Sequence, residues 1–267
     1  MCLCRRTPER DITMLVPEDR ESVKNAEITK ISQLLEISTG SIVSVVGCGG
    51  KTSLIELIAK ENKEKKVLIS PTTKTFPIIC DEVISCNSLN SSIKHKPQTG
   101  IQCLGQLNNI NGKLEALPDK VLAELTPLYD IVLMEADGSR ELPCKGWLEN
   151  EPVIPPYSTH TVGVVTMDAV GKAATAYVVH HLAEFLSLTT LLEGDIITKQ
   201  SLEDMVCLPK GMFDKAVGHK FIIVNKVEYE AIAERAVSFL ECIKVKYPNT
   251  FKRLIYGSVL ENIWKTV

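Results

Sequence analysis

The chain has 267 residues, of which 45% are hydrophobic and 24% charged, with a formal net charge of −3. That length holds one large α/β domain or two small ones and buries a core without disulfides, and the composition excludes wholesale disorder. The slight acidity excludes a general nucleic-acid binder, because no basic excess is present to neutralise phosphates.

Residues 1–30 are charged and weakly patterned and read as an N-terminal extension to a single domain over 31–267. The polar start MCLCRRTPERD does not resemble a secretory leader, and no apolar stretch approaches a membrane span, so the expected location is the cytoplasm, with no membrane partner. Nine cysteines, at positions 2, 4, 48, 80, 86, 103, 144, 207 and 242, form no C-x-x-C pair and no Cys/His zinc spacing. They fit free, mostly buried thiols in a reducing compartment, with the close pair Cys2-Leu3-Cys4 on a frayed terminus.

The most informative segment is SIVSVVGCGGKTS over 41–53. Its apolar start predicts a strand buried on both faces, and Leu54, Leu57 and Ile58 recur at helical spacing after it. Between them Gly47, Gly49 and Gly50 allow a tight turn whose N–H groups face an anion. Lys51 adds a cation, Thr52 a hydroxyl able to reach Mg²⁺, and the helix opening there presents its positive end. The common pattern G-x-x-x-x-G-K-[ST] would need glycine where Val45 stands. The string is instead G-x-x-G-K-T, a spacing similar to that of the Mur-ligase and folylpolyglutamate-synthetase type of ATPase. Gly47, Cys48, Gly49, Gly50, Lys51, Thr52 and Ser53 are therefore the expected phosphate-holding residues. Cys48 sits where a helix N-terminus lowers a thiol pKa, although its backbone N–H is the simpler contribution.

A second apolar strand over 67–70 completes a βαβ unit, whose strand ends share one edge. The hydroxyl-rich run Pro71-Thr72-Thr73-Lys74-Thr75 leaves that edge, so Thr73 and Lys74 are placed to meet Mg²⁺ or a terminal phosphate, or else solvent. Segments 100–104 and 113–117, joined through Asn108-Asn109-Ile110-Asn111-Gly112, suggest an antiparallel hairpin at the sheet edge, followed by a short helix over 118–125. The run DIVLMEADG over 130–138 is a buried strand ending in acids, the form of a Walker-B element. Period two puts Glu135 and Asp137 on one side, where either binds Mg²⁺ or orients water. Arg140 and Lys145 follow on a loop leaving the same edge, suited to a substrate anion or to surface solvation.

Prolines make 151–156 a rigid connector, and 161–167 is another strand ending at Asp168. His180 and His181 fall on a predicted helix, without further ligands at metal spacing. Segment 194–205 reads as a loop and a helix. The last clear strand, 221–224, runs into Asn225-Lys226-Val227-Glu228, and 229–247 is the final helix. That tetrapeptide matches the position of the N-K-x-D element of GTPases, with Glu228 one methylene longer than aspartate, and fits equally a helix cap with an acid three residues on. ATP and GTP both remain open.

With these residues in place the chain resembles the YqeC family, described as accessory proteins of selenium-dependent molybdenum hydroxylases. The resemblance rests on VGCGGKTS, the strand and TTK stretch over 67–74, IVLMEADGSRELPCKG, EPVIP, VGVVTMDAVG and the late VNK. It implies a cytoplasmic P-loop protein that assists maturation or cofactor insertion of a molybdenum hydroxylase, with that enzyme or its cofactor as partner. The expected fold is α/β and P-loop NTPase-like, a mainly parallel sheet flanked by helices. The expected chemistry is Mg²⁺-dependent use of ATP or GTP, with Lys51, Glu135 and Asp137 at the centre. A nucleotide-gated carrier without useful turnover and a Mur-type ligase are the alternatives.

Overall fold

The structure, a computed structural model, describes residues 29–74, 80–85, 96–108 and 112–267. The Cys2-Leu3-Cys4 pair, most of the N-terminal extension, Thr75 and the Asn109–Asn111 turn lie outside those residues.

Short β-branched runs between amphipathic segments give strands that must be covered on both faces. In chain order they are β1 (Ser41–Gly47), β2 (Lys66–Pro71), β3 (Glu82–Ser85), β4 (Gly100–Leu107), β5 (Leu114–Glu115) and β6 (Ile131–Glu135). After them come β7 (Cys144–Lys145), β8 (His160–Thr166), β9 (Val179–His180), β10 (His219–Asn225), β11 (Arg253–Ser258) and β12 (Ile263–Thr266). Among the described residues the main sheet runs β12-β11-β10-β8-β1-β6-β2-β4-β3, with β5 paired to β4. Only β12 against β11 and β5 against β4 pair antiparallel within it; β7 and β9 form a separate parallel pair. The glycine-loop strand β1 is central, with β6 on one side and β8 on the other. The fold is thus α/β, a mostly parallel sheet flanked by helices, consistent with a P-loop NTPase-like class.

Alternation sorts the strand residues between two layers. Val43, Val45, Val67, Ile69, Ile131 and Leu133 face α1 (Ile31–Leu34) and α2 (Lys51–Glu61). Their neighbours Leu68, Val132 and Met134 face α3 (Asp119–Leu125) on the other side. That second face continues over β8 and β10, where Val165, Ile222 and Val224 meet α5 (Lys199–Cys207) and α6 (Glu230–Lys246). Helix α4 (Leu182–Thr189) joins the same cluster through the fully buried Phe185.

Three sequence readings change. The hairpin exists as β4–β5, but β3 pairs parallel outside β4 and forms the edge there. Two strands follow the final helix, because β11 and β12 extend the sheet where 221–224 was read as its last strand. The paired histidines lie on no helix face: His180 closes β9, and His181 takes a left-handed backbone (φ 52°) just before α4. Burial and the neighbouring His181 push the His180 pKa down to about 4, so the ring is neutral at neutral pH. Among the described residues no group of three or more His, Cys, Asp or Glu could hold a metal, and no helix is long and apolar enough to cross a membrane.

Gly146 follows β7 where the chain touches α4: an added Cβ would meet the Phe185 backbone nitrogen and lie 2.7 Å from the His181 carbonyl oxygen. Neither backbone atom can swing aside. Gly146→Ala is expected to destabilise the fold by about 1–3 kcal/mol through overpacking, measured by denaturant unfolding. An unchanged midpoint would show that α4 is not seated against this strand.

Candidate functional site

The carboxyl ends of β1 and β6 lie side by side, with Val45 in register with Glu135. Beyond them the chain turns through Gly47, Cys48, Gly49 and Gly50 into α2, and Gly47 and Gly50 take positive φ (98° and 112°). A Cβ on Gly47 would strike the Val164 carbonyl, and one on Gly50 would lie 2.6 Å from Asn225 Nδ2, so both positions need glycine for space as well as for backbone shape. The first turn of α2 leaves its N–H groups without intrahelical acceptors. Leu54 N–H bonds back to the Gly50 carbonyl at 3.0 Å.

Lys51 is 3% exposed and curls over the loop. Its Nζ donates to the Gly47 carbonyl at 2.6 Å and to Ser139 Oγ at 3.4 Å. It also lies 3.3 Å from Asp137 Oδ1 and 3.7 Å from Glu135 Oε1. Burial works against this ammonium, yet Asp137 and then Glu135 outweigh it, so the Lys51 pKa stands above the ordinary lysine value. Thr52 donates its hydroxyl to Glu135 Oε2 at 3.0 Å. The lysine, the threonine and both strand-end acids therefore converge.

The two acids are not equivalent. Asp137 is fully buried and accepts from Gly47 N–H at 3.1 and 3.0 Å and from the Trp147 indole N–H at 2.7 Å. Lys145 Nζ lies 3.6 Å from its second oxygen. Glu135 lies nearer the surface, with its carboxylate beside Thr52 and Lys51. Its backbone carbonyl accepts from Thr72 N–H at 3.1 Å and from the Thr72 hydroxyl at 3.3 Å, which brings the TTK stretch to the site's rim. Thr73 Oγ1 is buried and meets no hydrogen-bond partner among the described residues.

Other predicted positions lie differently from the sequence reading. Lys145, read as a loop cation, is in β7 and wholly buried; it donates to the Gly138 carbonyl at 2.7 Å and to Glu151 Oε2 at 3.1 Å. Its charge serves the buried Asp137 and the half-buried Glu151 rather than open solvent. Arg140 is exposed, with a left-handed φ of 50°. Lys74 is exposed and ion-paired with Glu115 Oε1 at 3.0 Å. Cys48 is fully buried, its N–H donates to the Val164 carbonyl at 2.8 Å, and burial pushes its thiol up to about 12. It is neither an activated thiol nor, through that N–H, an anion donor. Ser53 lies on the outer side of α2, beside Asn225 and Glu228 along a shallow cleft.

The Asn225-Lys226-Val227-Glu228 segment does not cap the helix after it. Helix α6 begins beyond Tyr229, which makes no side-chain cap bond. Asn225 instead donates Nδ2–H to the Gly49 carbonyl at 2.8 Å and accepts Val259 N–H at 3.0 Å. Glu228 accepts from Ser258 Oγ at 2.6 Å, while Lys226 pairs with Asp168 at 2.9 Å. Sequence reasoning missed Trp147, Glu151 and Ser258. Trp147 had a usable signal: it is one of only two tryptophans, and a buried indole N–H near an acidic strand end demands an acceptor. Trp147 and Glu151 also line a broad cleft of ≈ 900 Å³ beside α4.

A mostly parallel α/β sheet with a glycine loop, lysine, threonine and two acids at its carboxyl edge defines the general class. The sequence profile of the YqeC protein family matches residues 43–183. An uncharacterized protein, YqeC, of Escherichia coli (strain K12) is 31% identical over 180 residues, covering 65% of this chain and 70% of that protein. The chain belongs to the YqeC family. The matched span holds the loop, both acids and the Lys145–Trp147 segment.

Lys145 offsets the fully buried Asp137 and the partly buried Glu151. Lys145→Met keeps the volume and removes the charge, and is expected to cost about 3–5 kcal/mol of stability, read from denaturant midpoints. A loss below about 1 kcal/mol would show that the two acids find other partners.

Proposed function

We propose that the chain binds a nucleoside triphosphate with Mg²⁺ and hydrolyses it, in the service of maturing or loading a selenium-dependent molybdenum hydroxylase. The observation that carries the nucleotide reading is the meeting of Lys51, Thr52 and Glu135 within 3.0–3.7 Å at the mouth of the glycine loop. The client enters through the resemblance to described YqeC accessory proteins. Free thiols, six of them among the described residues, suit the reducing cytoplasm.

The donor set fits Mg²⁺. A hydroxyl and a carboxylate stand together, both hard oxygen donors, and no larger protein cage surrounds them among the described residues. Mg²⁺ favours such sites, taking its other ligands from phosphate and water. Thr52 and Glu135 would hold it, and when bound it would neutralise charge on the phosphates. Lys51 would turn from Asp137 and Glu135 toward the terminal phosphates, while the loop and α2 N–H groups surround them. Thr73 Oγ1, buried beside Thr72 without a partner among the described residues, supplies a further donor at that end. Asp137 acts in this scheme by positioning the loop, since Gly47, Lys51, Trp147 and Lys145 already surround it.

Lys51→Ala is expected to lower Mg²⁺-dependent phosphate release by on the order of 10²- to 10³-fold. Thr52→Ala and Glu135→Gln should each raise the Mg²⁺ concentration needed for half-maximal release. Turnover unaltered by Lys51→Ala would remove the assignment. Tight nucleotide binding without release would turn it to a nucleotide-gated carrier.

A further inference from the structure

We infer that the base is guanine, read by Glu228 in the cleft alongside the glycine loop; this rests on the nucleotide reading above. The cleft holds ≈ 520 Å³, and its walls include Gly50, Ser53, Leu57, Asn225, Glu228 and Leu260. That volume is within the range of small-molecule sites, and Gly50 makes the cleft continuous with the phosphate loop.

Three features give the cleft its chemistry. Glu228 Oε1 accepts the hydroxyl of fully buried Ser258 at 2.6 Å, so the carboxylate is held in one orientation instead of sweeping through solvent. An ionised carboxylate only accepts hydrogen bonds. Guanine presents two neighbouring donors, N1–H and the 2-amino group, and pairs with both carboxylate oxygens. Adenine offers an unprotonated N1 and a C2–H there, so it sets a lone pair against the negative charge. The site therefore selects by attraction and by repulsion together.

Asn225 is the second feature. Its amide joins the Gly49 carbonyl to Val259 N–H, which fixes the distance between the phosphate loop and the end of β11, where Ser258 lies. An amide nitrogen carries two donors, and the one not given to Gly49 suits N7 or O6 of a purine. The third feature is Leu260. This side chain is 87% exposed on the cleft wall, a large apolar group left facing solvent that suits the flat face of a base. Helix capping explains none of these contacts, since α6 starts past them.

Calorimetric titration of the full chain with GTP, ITP, XTP and ATP, each with Mg²⁺, tests the inference. GTP should bind tightest. ITP, which lacks only the 2-amino group, should bind roughly 10-fold to 100-fold more weakly, and ATP more weakly still. Glu228→Gln, checked for folding by thermal melting, should lose GTP affinity by a similar factor and gain XTP, whose 2-oxo group accepts the new amide N–H. Equal binding of ATP and GTP by the unaltered protein, or a GTP preference untouched in Glu228→Gln, would overturn the guanine assignment. Inorganic tripolyphosphate separates the two claims: if it binds while the bases are not distinguished, only the guanine reading falls. If neither it nor any nucleotide binds, the phosphate-loop reading falls as well.

Discussion

A carboxylate with no access to water organises the site. Taking Asp137 out of solvent costs several kcal/mol, and the cost is offset only by partners with good geometry. The protein supplies a backbone N–H, an indole N–H and two ammonium groups. Each comes from a different place: Gly47 ends β1, Lys51 opens α2, Lys145 lies in β7, and Trp147 follows it. The constraint fixes β6 beside β1, because the acid must reach the turn where β1 ends. It also draws the chain after β6 back under the loop, where Lys145 holds the Gly138 carbonyl and Glu151.

The loop is held from a second side. Asn225, at the end of β10, bonds the Gly49 carbonyl, and Thr166, at the end of β8, lies where a side chain on Gly49 would be. Three strand ends thus define a short glycine turn. Preorganisation of this kind lowers the ordering cost that an anion would otherwise meet on binding. It also explains the placement of Cys48. Its N–H is spent on the Val164 carbonyl and its thiol points into the core, so the residue anchors the turn.

Legibility in the sequence followed the range of the interactions. The strand over 41–47, the turn and the helix behind it are set by neighbours, and alternation alone predicted that Glu135 and Asp137 would share a side. Both do meet Lys51. The burial of Lys145 was not legible, since an isolated lysine reads as solvated; Asp137 and Glu151 are near it in the chain, but only the irregular path from β6 through β7 turns both acids onto the ammonium and makes its burial tolerable. The same holds for Asn225 and Glu228. Their local pattern fits a helix cap as well as anything else, and the decision comes from Gly49, Val259 and Ser258, brought there by the sheet. The β11 and β12 strands escaped notice because their pairing partners, not their composition, make them strands. His180 and His181 were misplaced for a related reason: a two-residue strand paired to β7 carries almost no pattern of its own.

Two lysines on one aspartate look redundant until the site is asked to work. Lys51 lies where an anion in the glycine loop would draw it away from Asp137. With one lysine only, that motion would leave a buried carboxylate short of countercharge, and the loop it holds through Gly47 would lose its anchor as the ligand arrived. Lys145 removes the difficulty. It stays within 3.6 Å of Asp137, completely buried and fixed by Gly138 and Glu151, so Asp137 keeps one cation and two N–H donors whichever way Lys51 points. Glu135 is the group left to rebalance, and it sits beside Thr52; in the proposed Mg²⁺–nucleotide complex the cation would replace the charge that Lys51 withdraws. Under the proposed nucleotide reading, the buried lysine would keep the loop's geometry independent of its occupancy and leave Lys51 able to change partners at little structural cost.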